Sequence, residues 1–231
     1  MTEAQARPLG RRIDFVQQLH ASTKRDYVGR VVEHDKAESA AVASRYGAEY
    51  WDGDRRYGYG GYRYDGRWLP IAEAMANQYG LRAGDRILDV GCGKGFLLHE
   101  FTRAVPGVEV TGLDVSRYAL EHAKDEVRER LVEGTAARLP FADASFDYVV
   151  SLGTLHNLPV GELFAALAEI ERVVRPGGRS YVMVESYRND REKANLLYWQ
   201  LTCRSFYSVE DWEWVYAHSG YRGDYGFIFF T

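Results

Sequence analysis

From residue 86 onward, apolar runs alternate with amphipathic stretches. RILDV at 86–90 is apolar almost throughout, the pattern of a parallel strand buried on both faces. FLLHEFTRAV then predicts a helix, VEVTGLDV a second strand, and Arg117–Leu131 a helix with Leu120, Ala123, Val127 and Leu131 on one face. A short strand is expected around RLVEGT and a fourth at Phe146–Ser151. Leu163, Leu167, Ile170 and Val174 mark an amphipathic helix over 162–174, stopped by Pro176-Gly177-Gly178. RSYVMVES reads as the fifth strand. Ser208 and Asp211 are spaced like a capping box opening a helix to Ser219, and YGFIFF closes as an edge or antiparallel strand. Strand–helix alternation of this kind implies right-handed crossovers and a doubly wound α/β sheet with helices on both faces. Ligands of such sheets lie beyond the carboxyl ends of the strands.

The first third is patterned differently. Residues 9–45 read as helical, with Ile13, Val16 and Leu19, then Tyr27, Val31 and Val32, at mixed helix spacings. Residues 46–68 hold six tyrosines, two tryptophans and six glycines. The glycines allow sharp turns, and the aromatics supply surface to bury. Pro70 opens a short helix that Gly80 ends. The expected organisation is residues 1–70 as N-terminal helices with a Tyr/Gly-rich lid, and 71–231 as a mostly parallel, Rossmann-like core.

Composition narrows the class. The 231 residues, 46 % hydrophobic and 27 % charged, are those of a soluble globular protein. No run approaches a membrane span, and MTEAQARPLGRR lacks the apolar stretch of a signal peptide. Cys92 and Cys203 make neither a disulfide framework nor a metal set. A cytoplasmic enzyme with a small-molecule partner is expected. The net charge of −4 weighs against nucleic acid as a partner. Membrane association and oligomeric state have no signal.

The chemistry concentrates at Gly91-Cys92-Gly93-Lys94-Gly95. A triphosphate-binding loop requires a glycine five residues before Gly93 and Ser or Thr after Lys94; Leu88 and Gly95 stand there. The dinucleotide fingerprint requires a sixth-position glycine, where Phe96 stands. What remains is an S-adenosylmethionine loop or an ordinary strand-to-helix turn. Asp89, two residues before the first glycine, suits a ligand bearing an α-ammonium and a sulfonium. Asp114 ends the second strand 23 residues after Gly91, where a carboxylate can accept ribose hydroxyls, or cap the next helix.

With ILDVGCGKG, GLDVS, LPFADASFD, SLGTLHN and VVRPGG in order, residues 86–185 resemble the class I S-adenosylmethionine-dependent methyltransferases. The resemblance implies that Asp89, Gly91, Gly93 and Gly95 hold the methionine portion. It implies that Asp114, with Val115, binds the ribose side, and that Ser151 and its neighbours cover the cofactor from the fourth strand. Where the family usually carries Gly-Asp-Ala, this chain has Gly134-Thr135-Ala136, so Thr135 and Ala136 are expected near adenine without a charge. The segment EYWDGDRRYGYGGYRYDGRW and the leading HASTKRDY look like a narrower bacterial set acting in specialised pathways.

Methyl transfer from a sulfonium is an in-line displacement that needs positioning more than metal. His156, just past the fourth strand, is the base candidate, and Glu185, at the end of the fifth, can orient an ammonium or accept a proton. Tyr57, Tyr59, Tyr62, Tyr64 and Trp68 are expected to contact the acceptor as lid or cage. The expected activity is methylation of an O or N atom of a small molecule. Its rivals are a protein methyltransferase and a non-catalytic S-adenosylmethionine-binding subunit.

Overall fold

The computed structural model describes residues 9–231; residues 1–8, the start of the expected N-terminal unit, lie outside the described residues. Six strands form one sheet: β1 (Arg86–Val90), β2 (Glu109–Asp114), β3 (Leu131–Glu133), β4 (Phe146–Leu152), β5 (Val174–Ser186) and β6 (Asp224–Phe229). Their order is β3-β2-β1-β4-β5-β6, and every pair is parallel. Chain direction reverses outward from β1 and β4, so the switch point lies at their carboxyl ends, beside Asp89 and Leu152.

Eleven α-helices accompany the strands among the described residues. The N-terminal part contributes α1 (Gln17–Ala21), α2 (Gly29–Val32), α3 (Lys36–Ala43), α4 (Ala48–Trp51) and α5 (Leu69–Tyr79). The core adds α6 (Phe96–Ala104), α7 (Arg117–Glu121), α8 (Asp125–Arg128), α9 (Val160–Val173), α10 (Asp190–Trp199) and α11 (Val209–Ser219). One face of the sheet is sealed by α9, whose Leu163, Ala166, Leu167, Ile170 and Val173 are fully buried, together with Trp212 and Tyr216 of α11. Burying each large aliphatic side chain contributes about 1.5–3 kcal/mol. The other face is sealed by α5 and α6 through Met75, Leu98 and Phe101. The capping box of Ser208 and Asp211 is present at the start of α11.

Three expectations are corrected. Residues 9–45 hold only α1, α2 and α3, and residues 11–13 are extended along β6. Ile13 N–H donates to Tyr225 O at 2.8 Å, and Tyr225 N–H to Arg11 O at 3.0 Å. This covers an edge strand that would otherwise leave its backbone groups open. The mixed apolar spacing of that stretch reflects its packing with the sheet core, where Val16 joins Ile87 and Val150.

Arg117–Leu131 is likewise not one helix. It breaks after α7, where Lys124 N–H donates to Lys94 O at 3.0 Å, and Leu131 begins β3. Finally, β6 holds the edge of the sheet, one of the two positions expected, but it is parallel to β5, pairing Tyr181 with Asp224 through Ser186 with Phe229. Burial on both faces explains its unbroken apolar run.

Gly10 lies against Gly223, where a Cβ would collide with the Gly223 carbonyl. Gly10→Ala is therefore expected to lift residues 9–13 from β6. The measurement is hydrogen exchange at the Tyr225 amide, which should accelerate while amides of β1 and β4 keep their protection. Unchanged exchange at Tyr225 would contradict this edge arrangement.

Candidate active site

The end of β1 is built around acids and glycines. Gly91 and Cys92 donate their N–H groups to Leu113 O at 2.7 and 3.1 Å, tying the loop to β2. Asp114 then accepts Gly93 N–H at 2.8 Å on one oxygen and Ser116 N–H at 2.8 Å on the other. Gly91 (φ 85°) and Gly93 (φ 53°) adopt the left-handed region, strained for residues bearing a Cβ. Their side-chain space is also taken: a Cβ on Gly91 would collide with Thr154, and one on Gly93 would stand 2.8 Å from the Trp51 ring. Gly95 serves packing, since its Cβ would meet Val127 at 2.9 Å.

Asp89 is 3 % exposed, and no donor reaches its carboxylate among the described residues. Burial, helped by the nearby Asp114, raises its pKa to about 8. Burial also raises the pKa of Asp114, against the opposing pull of the Ser116 and Gly93 N–H groups. A cationic group beside Asp89 would reverse that penalty. Val115, next to Asp114, is 52 % exposed, an apolar surface at the strand end. Thr135 is exposed, with Oγ1 accepting Ala137 N–H at 3.3 Å, and Ala136 is buried. Ser151 departs from its expected place: its side chain is fully buried and donates to Val90 O at 2.8 Å, so it ties β4 to β1.

The Tyr/Gly segment lies folded over this edge. Trp51 donates from Nε1 to Ser116 Oγ at 2.8 Å and Tyr46 O at 3.1 Å, and Tyr59 stacks on it at 5.3 Å. Tyr62 stacks on Phe96 at 4.9 Å. Lys94, from the glycine loop, reaches Asp52 at 2.7 and 2.8 Å and Tyr62 O at 3.0 Å, while Tyr118 donates to Asp52 at 2.9 Å. These contacts, with Lys94 buried and Asp52 at the surface, latch the segment to the core. The role of Trp51 and the pairing of Lys94 with Asp52 escaped the sequence reading; the signal available was a lysine inside a glycine loop whose role is neither phosphate nor solvent.

Beneath the segment is a cavity of about 410 Å³, within the range of small-molecule sites. It runs from Gly91 and Gly93 past Tyr59, Tyr62 and Trp68 to His156 and Glu185. Tyr57 and Tyr64 do not line it. Arg56 lies over the Tyr57 ring, and Tyr64 donates to Glu100 at 2.7 Å on the flank of α6.

The structure brings His156 and Glu185 together, with Nε2 3.4 Å from Oε2. The backbone of His156 is pinned by the N–H groups of Arg204 and Ser205, both at 2.9 Å from its carbonyl. Burial pushes the imidazole down to about 3, leaving it neutral. Glu185 N–H donates to Nδ1 at 3.4 Å, which assigns the ring proton to Nε2, directed at the Glu185 carboxyl. Burial raises Glu185 to about 8, against the opposing influence of Arg25 and the Gln200 amide that donates to it. Of the two, Glu185 is the group that titrates near neutrality.

Residues 87–178 match the model of a family described as a methyltransferase domain. The chain carries a class I S-adenosylmethionine-dependent methyltransferase domain. Its sequence is 39 % identical over 116 residues to 27-O-demethylrifamycin SV methyltransferase of Amycolatopsis mediterranei, covering 47 % of this chain and 42 % of that one. It is 43 % identical over 104 residues to demethylmenaquinone methyltransferase of Staphylococcus aureus, covering 43 % of this chain and 42 % of the relative. The chain thus spans about two-fifths of the curated relatives it matches. Among solved structures it is similar to the YcgJ protein of Bacillus subtilis, with TM-score 0.55 and 26 % identity, over 64 % of this chain and 66 % of that one. Asp89, without a donor and at the end of β1, fits the cationic methionine portion of the domain's cofactor. The Asp114 carboxylate at the neighbouring strand end fits its ribose hydroxyls.

A carboxyl group whose folded pKa is raised stabilises the fold fully below its unfolded value, near 4, and loses that advantage as pH rises through about 8. Asp89→Asn is therefore expected to raise the Tm of the ligand-free protein at pH 8, with the difference vanishing near pH 4. Each pKa unit is worth ~1.4 kcal/mol. The same variant should weaken adenosylhomocysteine binding at least about tenfold, as loss of a charge-assisted contact does. Thermal melts across pH, with calorimetric titration, check both; a lower Tm at pH 8 would contradict the assignment.

Proposed function

We propose that this chain transfers a methyl group from S-adenosylmethionine to an O or N atom of a small molecule held beneath the Tyr/Gly segment. The observation that carries this reading is the covered cavity joining the glycine loop to Glu185. A roof of Trp51 and Tyr59, latched by Lys94 and Asp52, favours an acceptor that fits inside the chamber over a protein chain that must thread into it. Similarity to proteins named for 27-O-demethylrifamycin SV and demethylmenaquinone supports a small acceptor of this kind.

The cofactor supplies an electrophilic methyl group when bound. Asp89 would hold its ammonium and Asp114 its ribose, and the roof would exclude water. Glu185 accepts the proton of a hydroxyl acceptor, or pairs with an amine, as the methyl arrives. His156 positions that carboxyl through its Nε2 proton rather than serving as the base. In-line positioning carries most of the rate, and proton transfer contributes about 10²–10⁴-fold where the acceptor is a hydroxyl.

Calorimetric titration with adenosylhomocysteine, with NAD as control, is the first test. Micromolar affinity for the former is expected, and tight NAD binding alone would sink the reading. With a hydroxyl acceptor found by labelled-methyl transfer, kcat/KM should rise with pH through about 8, because Glu185 must be ionised to act. Glu185→Gln should flatten that profile and lower turnover by about 10²–10⁴-fold. His156→Gln should shift the limb and leave cofactor affinity unchanged. Full turnover in Glu185→Gln would remove this group from the chemistry.

A further inference from the structure

The chamber wall farthest from the glycine loop is organised around one tryptophan. Trp199, the last residue of α10, has three guanidinium groups over its ring: Arg30 at 4.4 Å, Arg55 at 5.1 Å and Arg25 at 5.5 Å from the centroid. Each comes from a different segment of the N-terminal part, and all four residues line the cavity.

Elsewhere the arginines are largely matched with acids, as in Arg67 with Asp65, Arg103 with Glu100 and Arg172 with Asp143 and Glu169. Among the described residues, no carboxylate forms an ion pair with Arg25, Arg30 or Arg55. Their N–H groups go to neutral oxygens: Arg30 Nε to Trp199 O at 2.8 Å, Arg55 Nη1 to Gly58 O at 2.7 Å, and Arg25 Nη1 to Thr23 O at 3.0 Å. Arg25 Nε is buried and has no partner among the described residues.

The surrounding groups do not restore balance. The carboxyl that acts on Arg25 is that of Glu185, and burial favours its protonated form. His20, whose Nδ1 accepts from Arg25 Nη2 at 3.1 Å, is pushed down to about 4 by burial and by Arg25, so it stays neutral. Lys36 adds a further positive charge beside Arg30. Burial and mutual repulsion pull Arg30 down to about 10. Crowding like charges around one half-buried ring is unfavourable unless an anion joins them, and the planar guanidinium fork matches carboxylate and phosphate oxygens.

We propose that Arg25, Arg30 and Arg55, gathered on Trp199, anchor a carboxylate or phosphate group of the methyl acceptor. This rests on the reading of the cavity as the acceptor chamber, and it narrows the substrate to an acidic small molecule. Gln200 follows Trp199 directly and donates to Glu185, so adjacent residues fix the charged end and the reacting end of the acceptor. The cofactor's own carboxylate is a poor occupant. The anchor adjoins β5 and β6 through Gln200 and Phe230, whereas the glycine loop ends β1, two strands or roughly 10 Å from β5.

The test uses protein saturated with adenosylhomocysteine and four probes of one shape: benzoate, phenyl phosphate, benzamide and benzylamine. Calorimetry should give benzoate or phenyl phosphate at least about tenfold tighter binding than the neutral and cationic probes, and their ratio tells carboxylate from phosphate. Arg30→Gln and Arg55→Gln should each weaken the preferred anion about tenfold, Arg30→Lys should retain most of the binding, and adenosylhomocysteine affinity should stay within about twofold. Equal binding of benzamide or benzylamine, or anion binding unchanged in both Gln variants, would overturn the anchor. So would a fall in adenosylhomocysteine affinity in those variants, because it assigns the arginines to the cofactor. If the unaltered protein bound no adenosylhomocysteine, the methyl-transfer reading would fall by itself. Charge-selective binding lost in Arg30→Gln would then still support the anion site.

Discussion

The site depends on three positions without side chains in the loop at the end of β1. Gly91, Gly93 and Gly95 each leave a space, and each space is filled by a different wall of the site. Thr154 sits on Gly91 and leads into the turn bearing His156. Trp51 sits on Gly93 and forms the roof, and Val127 of α8 sits behind Gly95. One loop therefore sets the distances between the roof, the turn bearing His156 and α8. The same loop places Lys94 to latch Asp52, so the roof is located by contacts with the residues it covers.

Around that loop the charges are separated rather than paired. Asp89 and Asp114 stand at the ends of β1 and β2, Glu185 at the end of β5, and the arginines of Trp199 beyond it. A buried acid without a donor, as Asp89 is, and cations without acids each cost folding free energy in the ligand-free protein. A ligand bringing positive charge to Asp89 and negative charge to the arginines would offset both costs. This separation gives binding its direction, because reversing the ligands would place like charges together.

Much of the core was legible because its signals are local. ILDVGCGKG places the acid and the glycines on one strand end, and the Ser208–Asp211 box states its own geometry. Asp114 was legible from spacing, since strand and crossover lengths in these units are narrowly set. The illegible parts depend on contacts distant in sequence. Trp199 meets Arg30 across 169 positions, and Asp52 meets Lys94 across 42, with no periodicity to announce either. The parallel direction of β6 was hidden because an unbroken apolar strand reads the same either way. Ser151 was expected over the cofactor from the resemblance alone, which says nothing of side-chain direction, and its hydroxyl turns inward to Val90 O.

The division between shared and private parts follows the same line. The family match covers 87–178, which includes Asp89, the glycines, Asp114 and His156. Glu185, Trp199 and Gln200 follow that range, and Arg25, Arg30, Trp51, Asp52 and Arg55 precede it. Thus the strand ends proposed to hold the cofactor lie almost wholly within the matched residues. The roof, the anion anchor and the proton acceptor lie outside them. An acceptor is recognised by contacts at its charged and reacting ends, not by the loop that holds the methyl donor. The acceptors named for the relatives therefore support a small molecule but no particular one, while this chain's own arginines and Glu185 bear on which.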